Sequence, residues 1–123
     1  MFLRNGVDII EIFRIERALR REAFLNKCFS PDEIAFLKSR GGGVAQSAAA
    51  SFAAKEAFSK ALGTGVRGFS LPQVEVLRDA LGAPYLRLSG DALQQAQKQG
   101  LQFTVSLSHD RERAIAFVTA YHV

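Results

Sequence analysis

Apolar and polar positions alternate near the start of the chain. Residues 5–12 (NGVDIIEI) are a β-branched run around two carboxylates, which predicts a strand or a strand leading into a helix. Ile12, Ile15, Leu19 and Ala23 then recur at helical spacing, with Arg14, Arg17 and Arg21 on the neighbouring stripe. The pattern predicts a helix that buries its aliphatic side and turns arginines to solvent. Ser30-Pro31-Asp32-Glu33 joins an N-cap serine, a proline at the first helical position and a glutamate at the third, which starts a helix over residues 31–40. Gly41-Gly42-Gly43 ends it. From Val44 to Leu62 the chain is rich in alanine and phenylalanine and free of proline and glycine, so a long helix is expected there, stopped by Gly63-Thr64-Gly65.

The second half of the chain changes period. Residues 73–77 and 85–88 alternate as strands about Asp79-Ala80-Leu81-Gly82, and residues 91–99 suit a short helix closed by Gly100. Residues 102–107 and 114–121 flank a polar Ser108-His109-Asp110-Arg111-Glu112-Arg113 stretch and predict an antiparallel hairpin. No repeat, linker or low-complexity tract divides these elements. Residues 1–123 are therefore predicted to form one α+β domain, a small antiparallel sheet packed with a long central helix.

Several polar residues stand out against this apolar frame. The long helix is apolar on nearly every face, as a central helix is, yet it carries Lys55, Glu56 and Lys60. Glu56 and Lys60 lie one turn apart on one face, either as a simple helix ion pair or as part of a site. Under strict alternation Asp8 shares a strand face with Ile10 and Ile12, where an unpaired carboxylate would be costly and needs a donor or a metal unless the strand is exposed there. Two carboxylates from different elements suit a hard divalent cation that keeps waters and binds substrate phosphates, the usual habit of Mg²⁺. There is no cysteine and histidine set for zinc.

Two superficially attractive motifs fail on physical grounds. The Gly63-Thr64-Gly65-Val66-Arg67-Gly68 turn follows a helix and lacks the Gly-Lys-Ser/Thr ending of a Walker loop. A phosphate there would rely on Lys60, Arg67 and turn amides, because a helix C-terminus repels anions. Ser108-His109-Asp110 is no catalytic triad, because neighbours on an extended chain point apart. His109 alone could still reach a ligand from the strand end.

Charge narrows the partner. A net charge of +4 and a pI of about 9.6 favour something anionic. With two tyrosines, no tryptophan and most phenylalanines inside apolar stretches, no basic and aromatic strip for stacking bases is present, and nucleic acid falls behind phosphorylated small molecules and acidic proteins. The N-terminus lacks the succession of a secretory signal and the lone Cys28 cannot form an internal disulfide, so a cytoplasmic location is expected. No apolar run approaches the roughly 20 residues that cross a bilayer, so no membrane partner is expected. A domain of this size hides only about two-thirds of its unfolded surface, which makes association with copies of itself favourable.

Gly6-Val7-Asp8-Ile9-Ile10-Glu11-Ile12, then Phe52-Ala53-Ala54-Lys55-Glu56-Ala57-Phe58-Ser59-Lys60-Ala61-Leu62-Gly63-Thr64-Gly65, then Ser106-Leu107-Ser108-His109 resemble, in order and spacing, the signature segments of the holo-acyl-carrier-protein synthases. The likeness runs from near Gly6 to near Val118. It implies the 4′-phosphopantetheinyl transferase fold and transfer of the phosphopantetheine arm of coenzyme A to a serine of an acyl carrier protein, in support of fatty acid synthesis. It implies Mg²⁺ on Asp8 and Glu56, with Lys60 on the phosphate. Coenzyme A would lie along Gly63, Thr64, Gly65, Pro84, Ser106 and His109. The carrier's acidic helix would dock on Arg14, Arg17 and Arg21 with Phe24 or Leu25 beside them, and the assembly would be a homotrimer with sites between subunits. The proton acceptor is open between Glu56, Asp32 through a water, and a bound water alone. Ser51 departs from the resemblance, since members commonly carry arginine there. An arginine restored at this position is expected to leave activity similar or modestly improve the Michaelis constant for coenzyme A.

Two rival readings follow from the same residues. A basic, non-catalytic module that binds nucleic acid or an acidic protein through the arginine stripe would have no use for Asp8 and Glu56. A transferase for peptidyl or polyketide carriers would share every residue named.

Overall fold

The computed structural model describes residues 1–122. Strand β1 (Phe2–Glu11) leads into α1 (Ile12–Ala18), α2 (Glu22–Cys28), α3 (Pro31–Lys38) and the long α4 (Val44–Leu62). The hairpin β2 (Val74–Arg78) and β3 (Pro84–Leu88), the helix α5 (Gly90–Lys98) and the hairpin β4 (Gln102–His109) and β5 (Arg113–His122) complete the chain. Strands β1, β5 and β4 form one antiparallel sheet in that order, and β2 and β3 form a separate pair. The expected α+β arrangement around a central helix is what the chain adopts.

α4 is the axis of the core. Ala48, Ala49, Ala53, Ala54, Ala57, Phe58 and Ala61 have no exposed surface. The first half of α4 packs against Ile12, Ile15, Cys28, Phe29 and Leu37. Its second half packs against the sheet, β2 and α5. Small residues on both partners bring helix and sheet close, since the inward positions of β5 are Ala114, Ala116, Val118 and Ala120. The closest approach is at Gly6, where a Cβ would collide with the Ala57 carbonyl oxygen and come within 2.7 Å of the Ala61 nitrogen. Backbone on both sides leaves nothing flexible to yield. Gly6→Ala is therefore expected to destabilise the fold by about 1–3 kcal/mol, the usual range for overpacking, which urea unfolding would measure. A loss below about 0.5 kcal/mol would show that β1 can lift off α4 freely.

The helix expected to run from Ile12 to Ala23 is two helices. It breaks after Ala18, and Arg21 adopts an extended conformation as the N-cap of α2. The aliphatic stripe ends in alanine at position 23, which has little to bury and is exposed. Turning the chain instead sends Phe24 against Phe29 and Phe52, at ring-centroid distances of 6.3 and 6.0 Å. Packing thus overrides the local period. α3 begins with the predicted capping box, Ser30 Oγ accepting from Glu33 N–H and Glu33 Oε1 accepting from Ser30 N–H.

Candidate active site

β1 and α4 bring Asp8, Glu56 and Lys60 together. Alternation on β1 turns Phe2, Arg4, Gly6, Asp8 and Ile10 toward α4, and the contact at Gly6 holds Asp8 against the second half of that helix. Lys60 Nζ donates to the Val7 carbonyl at 2.8 Å and meets Asp8 Oδ1 at 3.4 Å. Among the described residues its salt bridge goes to Asp8 and not to its helix neighbour Glu56. Burial, reinforced by the charge of Asp8, raises the proton affinity of Glu56 above the ordinary carboxyl, and Lys60 offsets this only in part. Two carboxylates held close, one of them uncomfortable when ionised, are a donor set that a divalent cation would relieve. Among the described residues no group of three or more histidine, cysteine or acidic side chains could hold a metal, so a cation here would take two protein ligands and complete its shell with water and substrate oxygens.

At the end of α4, Gly63 adopts a left-handed conformation and its N–H bonds to the Ser59 carbonyl at 3.1 Å. Arg4 covers the last carbonyls of the helix, Nε donating to Ala61 at 2.6 Å and Nη2 to Leu62 at 2.7 Å. A Cβ at Gly63 would approach that guanidinium at 3.1 Å, so glycine serves both the turn and the cap. Arg4 neutralises the negative helix end at which Lys60 and the exposed Gly63, Thr64 and Gly65 turn lie.

Lys55 faces the opposite way. It is fully buried, and its three donors go to Glu33 Oε1 at 2.8 Å, the Leu71 carbonyl at 3.0 Å and the Val74 carbonyl at 2.6 Å. Burial lowers its proton affinity and Glu33 raises it in return. Glu33 Oε2 also accepts from Val76 N–H at 3.0 Å. Asp32, weighed as a relay, pairs with Arg87 at 2.7 Å, and Arg87 in turn holds Glu75. These charges brace α3, α4 and β2.

Pro84, Ser106 and His109 meet elsewhere, along a cavity of about 320 Å³ between the N-terminal half of α4 and the two hairpins. Arg40, Gln46, Ser47 and Arg78 share its walls. Along α4, Ala50 in this cavity and Glu56 at the carboxylate site are separated by about 9 Å of helical rise. The predicted coenzyme A residues thus form two groups within one chain. His109 is exposed at the end of β4, and Asp110 shapes the following turn by accepting from the Glu112 and Arg113 N–H groups at 2.8 Å each. Those amides hold the Asp110 carboxyl below its usual range. Ser51 is only 4% exposed, so an arginine in its place would have to displace packed neighbours rather than be accepted quietly.

A model of the 4′-phosphopantetheinyl transferase superfamily matches residues 4–118. The chain belongs to that superfamily. It is 50% identical to the holo-[acyl-carrier-protein] synthase of Clostridium acetobutylicum over 91% of each chain, and 46% identical to that of Clostridium beijerinckii over 95% of each. The Helicobacter pylori synthase solved in complex with coenzyme A superposes with a TM-score of 0.82 at 34% identity, covering 95% of this chain and 99% of that one.

In this member of the phosphopantetheinyl transferase superfamily the arginine stripe forms a shallow hollow lined by Arg14, Arg17, Arg20 and Arg21. Arg20 joins the three predicted arginines because helix α1 ends just before it. The exposed aromatic residue of this ridge is Phe13, 61% exposed with Arg17 over its ring at 5.6 Å. Phe24 is half-buried and occupied by Phe29 and Phe52, although its edge borders Arg21 and Lys27. Arg4 and Arg78 are isolated basic residues whose partners come from distant segments, and Arg40 sits in a plain helix end, so no sequence pattern singles them out.

Proposed function

We propose that this protein is a holo-acyl-carrier-protein synthase, transferring 4′-phosphopantetheine from coenzyme A to a serine of an apo-acyl carrier protein and releasing adenosine 3′,5′-bisphosphate. The observation that carries the reading is the convergence of Asp8, Glu56 and Lys60 where β1 meets α4. Asp8 and Glu56 would hold Mg²⁺, which when bound supplies positive charge to the pyrophosphate. Lys60, whose side chain is more than half exposed, has donor capacity left for a phosphate oxygen while the Val7 carbonyl orients it. The serine oxygen forms a bond to the phosphorus bearing the pantetheine arm as the bond from that phosphorus to the bisphosphate oxygen breaks. The serine proton passes to Glu56 or to a water beside it. Release of adenosine 3′,5′-bisphosphate only when apo-carrier is present tests the reaction, and release at equal rate without a carrier would contradict it.

The carrier docks on the arginine ridge, where Arg14, Arg17, Arg20 and Arg21 meet acidic side chains and Phe13 supplies an apolar contact. Opposite charge of this kind mainly speeds encounter and fixes orientation. Reversing Arg14 and Arg21 to glutamate is expected to raise the Michaelis constant for carrier by more than about tenfold while that for coenzyme A changes little, and the wild-type association rate should fall with salt. Equal losses for both ligands would remove this surface from the account.

The enzyme works as a homotrimer in the cytoplasm. Leu3, Val7, Ile9, Ile115 and Phe117 are exposed together on the outer face of the sheet, with Val7 opposite Phe117 and Ile9 opposite Ile115 in the β1–β5 register. Copies of the same chain would cover this apolar face and could join the carboxylate site of one subunit to the cavity of the next, and the family resemblance supplies the number three. Phe117→Glu is expected to yield a folded monomer with transfer reduced more than about tenfold. Sedimentation of a fully active wild-type monomer would refute the assembly.

A further inference from the structure

Helix α5 contributes no residue to the carboxylate site, yet it reaches the end of α4 through two glutamines one turn apart. Gln99 Nε2 donates to the Leu62 carbonyl at 3.2 Å, and Gln95 Nε2 donates to the Arg67 carbonyl at 3.2 Å. These bonds pin both sides of the exposed glycine-rich turn. Gln99 also holds Arg4, its Oε1 accepting from Arg4 Nη2 at 3.2 Å, and the Phe2 ring lies beside that guanidinium with its centroid 5.1 Å from Cζ. Arg4 is therefore fixed by the Ala61 and Leu62 carbonyls, by Gln99 and by Phe2. Among the described residues it has no salt-bridge partner, so its charge faces no carboxylate.

The aligned peptides of the 19-residue α4 leave a negative end at Leu62, which repels anions two residues from Lys60. The turn cannot cancel that charge with its own first amides. Gly63 N–H and Gly65 N–H both donate back to the Ser59 carbonyl, at 3.1 and 3.3 Å. A full positive charge placed on the last two carbonyls can cancel it, and Arg4 is so placed. We propose that Arg4 is a positioning residue of the transfer reaction, which makes the C-terminus of α4 receptive to the phosphate held by Lys60, and that Gln99 brings α5 into the reaction by holding Arg4 there. This rests on the proposed transferase activity for its substrate. Arg4 acts through the helix end and through space rather than by touching the phosphate. It shares the inward face of β1 with Asp8, so one strand carries both the acid of the site and the charge that corrects the helix end.

The test compares kcat/KM for coenzyme A in the wild type, Arg4→Gln and Arg4→Lys, with the Tm of each. Glutamine keeps a donor for the helix carbonyls and removes the charge, whereas lysine keeps the charge and loses the paired donors. Arg4→Gln is expected to lower kcat/KM about 3- to 20-fold, the range for one charge at a helix end, through KM for coenzyme A and not through KM for the carrier. Arg4→Lys should stay within about threefold of the wild type, and the deficit of Arg4→Gln should shrink as salt rises. A cap that is merely structural would instead make both variants lose activity in step with their Tm and regardless of salt. Arg4→Gln within about twofold of the wild type, or Arg4→Lys as impaired as Arg4→Gln, overturns the assignment. Calorimetry separates this from the reaction itself: with Mg²⁺ present, inorganic pyrophosphate should bind the wild type more tightly than Arg4→Gln, by a similar factor. That difference would support the role of the charge even if no carrier were modified. Equal binding by the two proteins, or none by the wild type, would sink it.

Discussion

Glu56→Gln is expected to reduce transfer by on the order of 10²–10³-fold or more while raising the stability of the metal-free protein. The two effects share a cause. Burial and the nearby Asp8 charge raise the folded-state proton affinity of Glu56, so the folded protein prefers that carboxyl protonated. The stability it contributes is present at pH below the unfolded carboxyl pKa and is lost as pH rises through the raised folded value. At neutral pH ionised Glu56 therefore opposes folding, and a neutral amide of the same shape removes the opposition. The gain in Tm should shrink on acidification, when the wild-type carboxyl is itself protonated. Asp8→Asn should lose activity similarly. Mg²⁺ should raise the Tm of the wild type and of neither variant, a readout independent of turnover. A folded Glu56→Gln protein with near-normal turnover would remove this residue from the site.

Lys55→Ala should cost about 3–5 kcal/mol of folding free energy, the range for stranding one partner of a buried ion pair. The truncation would leave the Glu33 carboxylate uncompensated and the Leu71 and Val74 carbonyls without their donor, all inside the protein. The Lys55→Met variant separates cavity from charge, since it fills most of the volume and still isolates Glu33. Adding Glu33→Gln to Lys55→Met should recover part of the loss, and the coupling from the double-mutant cycle measures the pair itself. Urea unfolding that gave less than about 1 kcal/mol for Lys55→Ala would show that water reaches the cluster.

Elements with strong local signals were legible. The capping box at Ser30, the glycine stop at Gly63 and the unbroken alanine-rich run specify α3 and α4, because caps and propensity act within a turn of the residue concerned. The break after Ala18 was not legible, since it depends on whether Phe24 gains more by packing on Phe52 than the stripe gains by continuing to Ala23. Glu56 and Asp8 could be singled out as acids in apolar settings. Lys55 stands next to Glu56 in the chain, and only the position of Glu33 across the core reveals that it faces inward. The gathering of Arg40, Arg78, Ser106 and His109 needs the hairpins placed against α4, which no periodicity encodes.

The central claim meets its most direct test in the intact mass of an apo-acyl carrier protein incubated with this enzyme, coenzyme A and Mg²⁺. The carrier should gain the mass of one phosphopantetheinyl group, with no gain when Mg²⁺ is chelated or when Asp8→Asn or Glu56→Gln replaces the wild type. A carrier left unmodified by the folded wild type, or modified at an undiminished rate by those variants, would contradict the account.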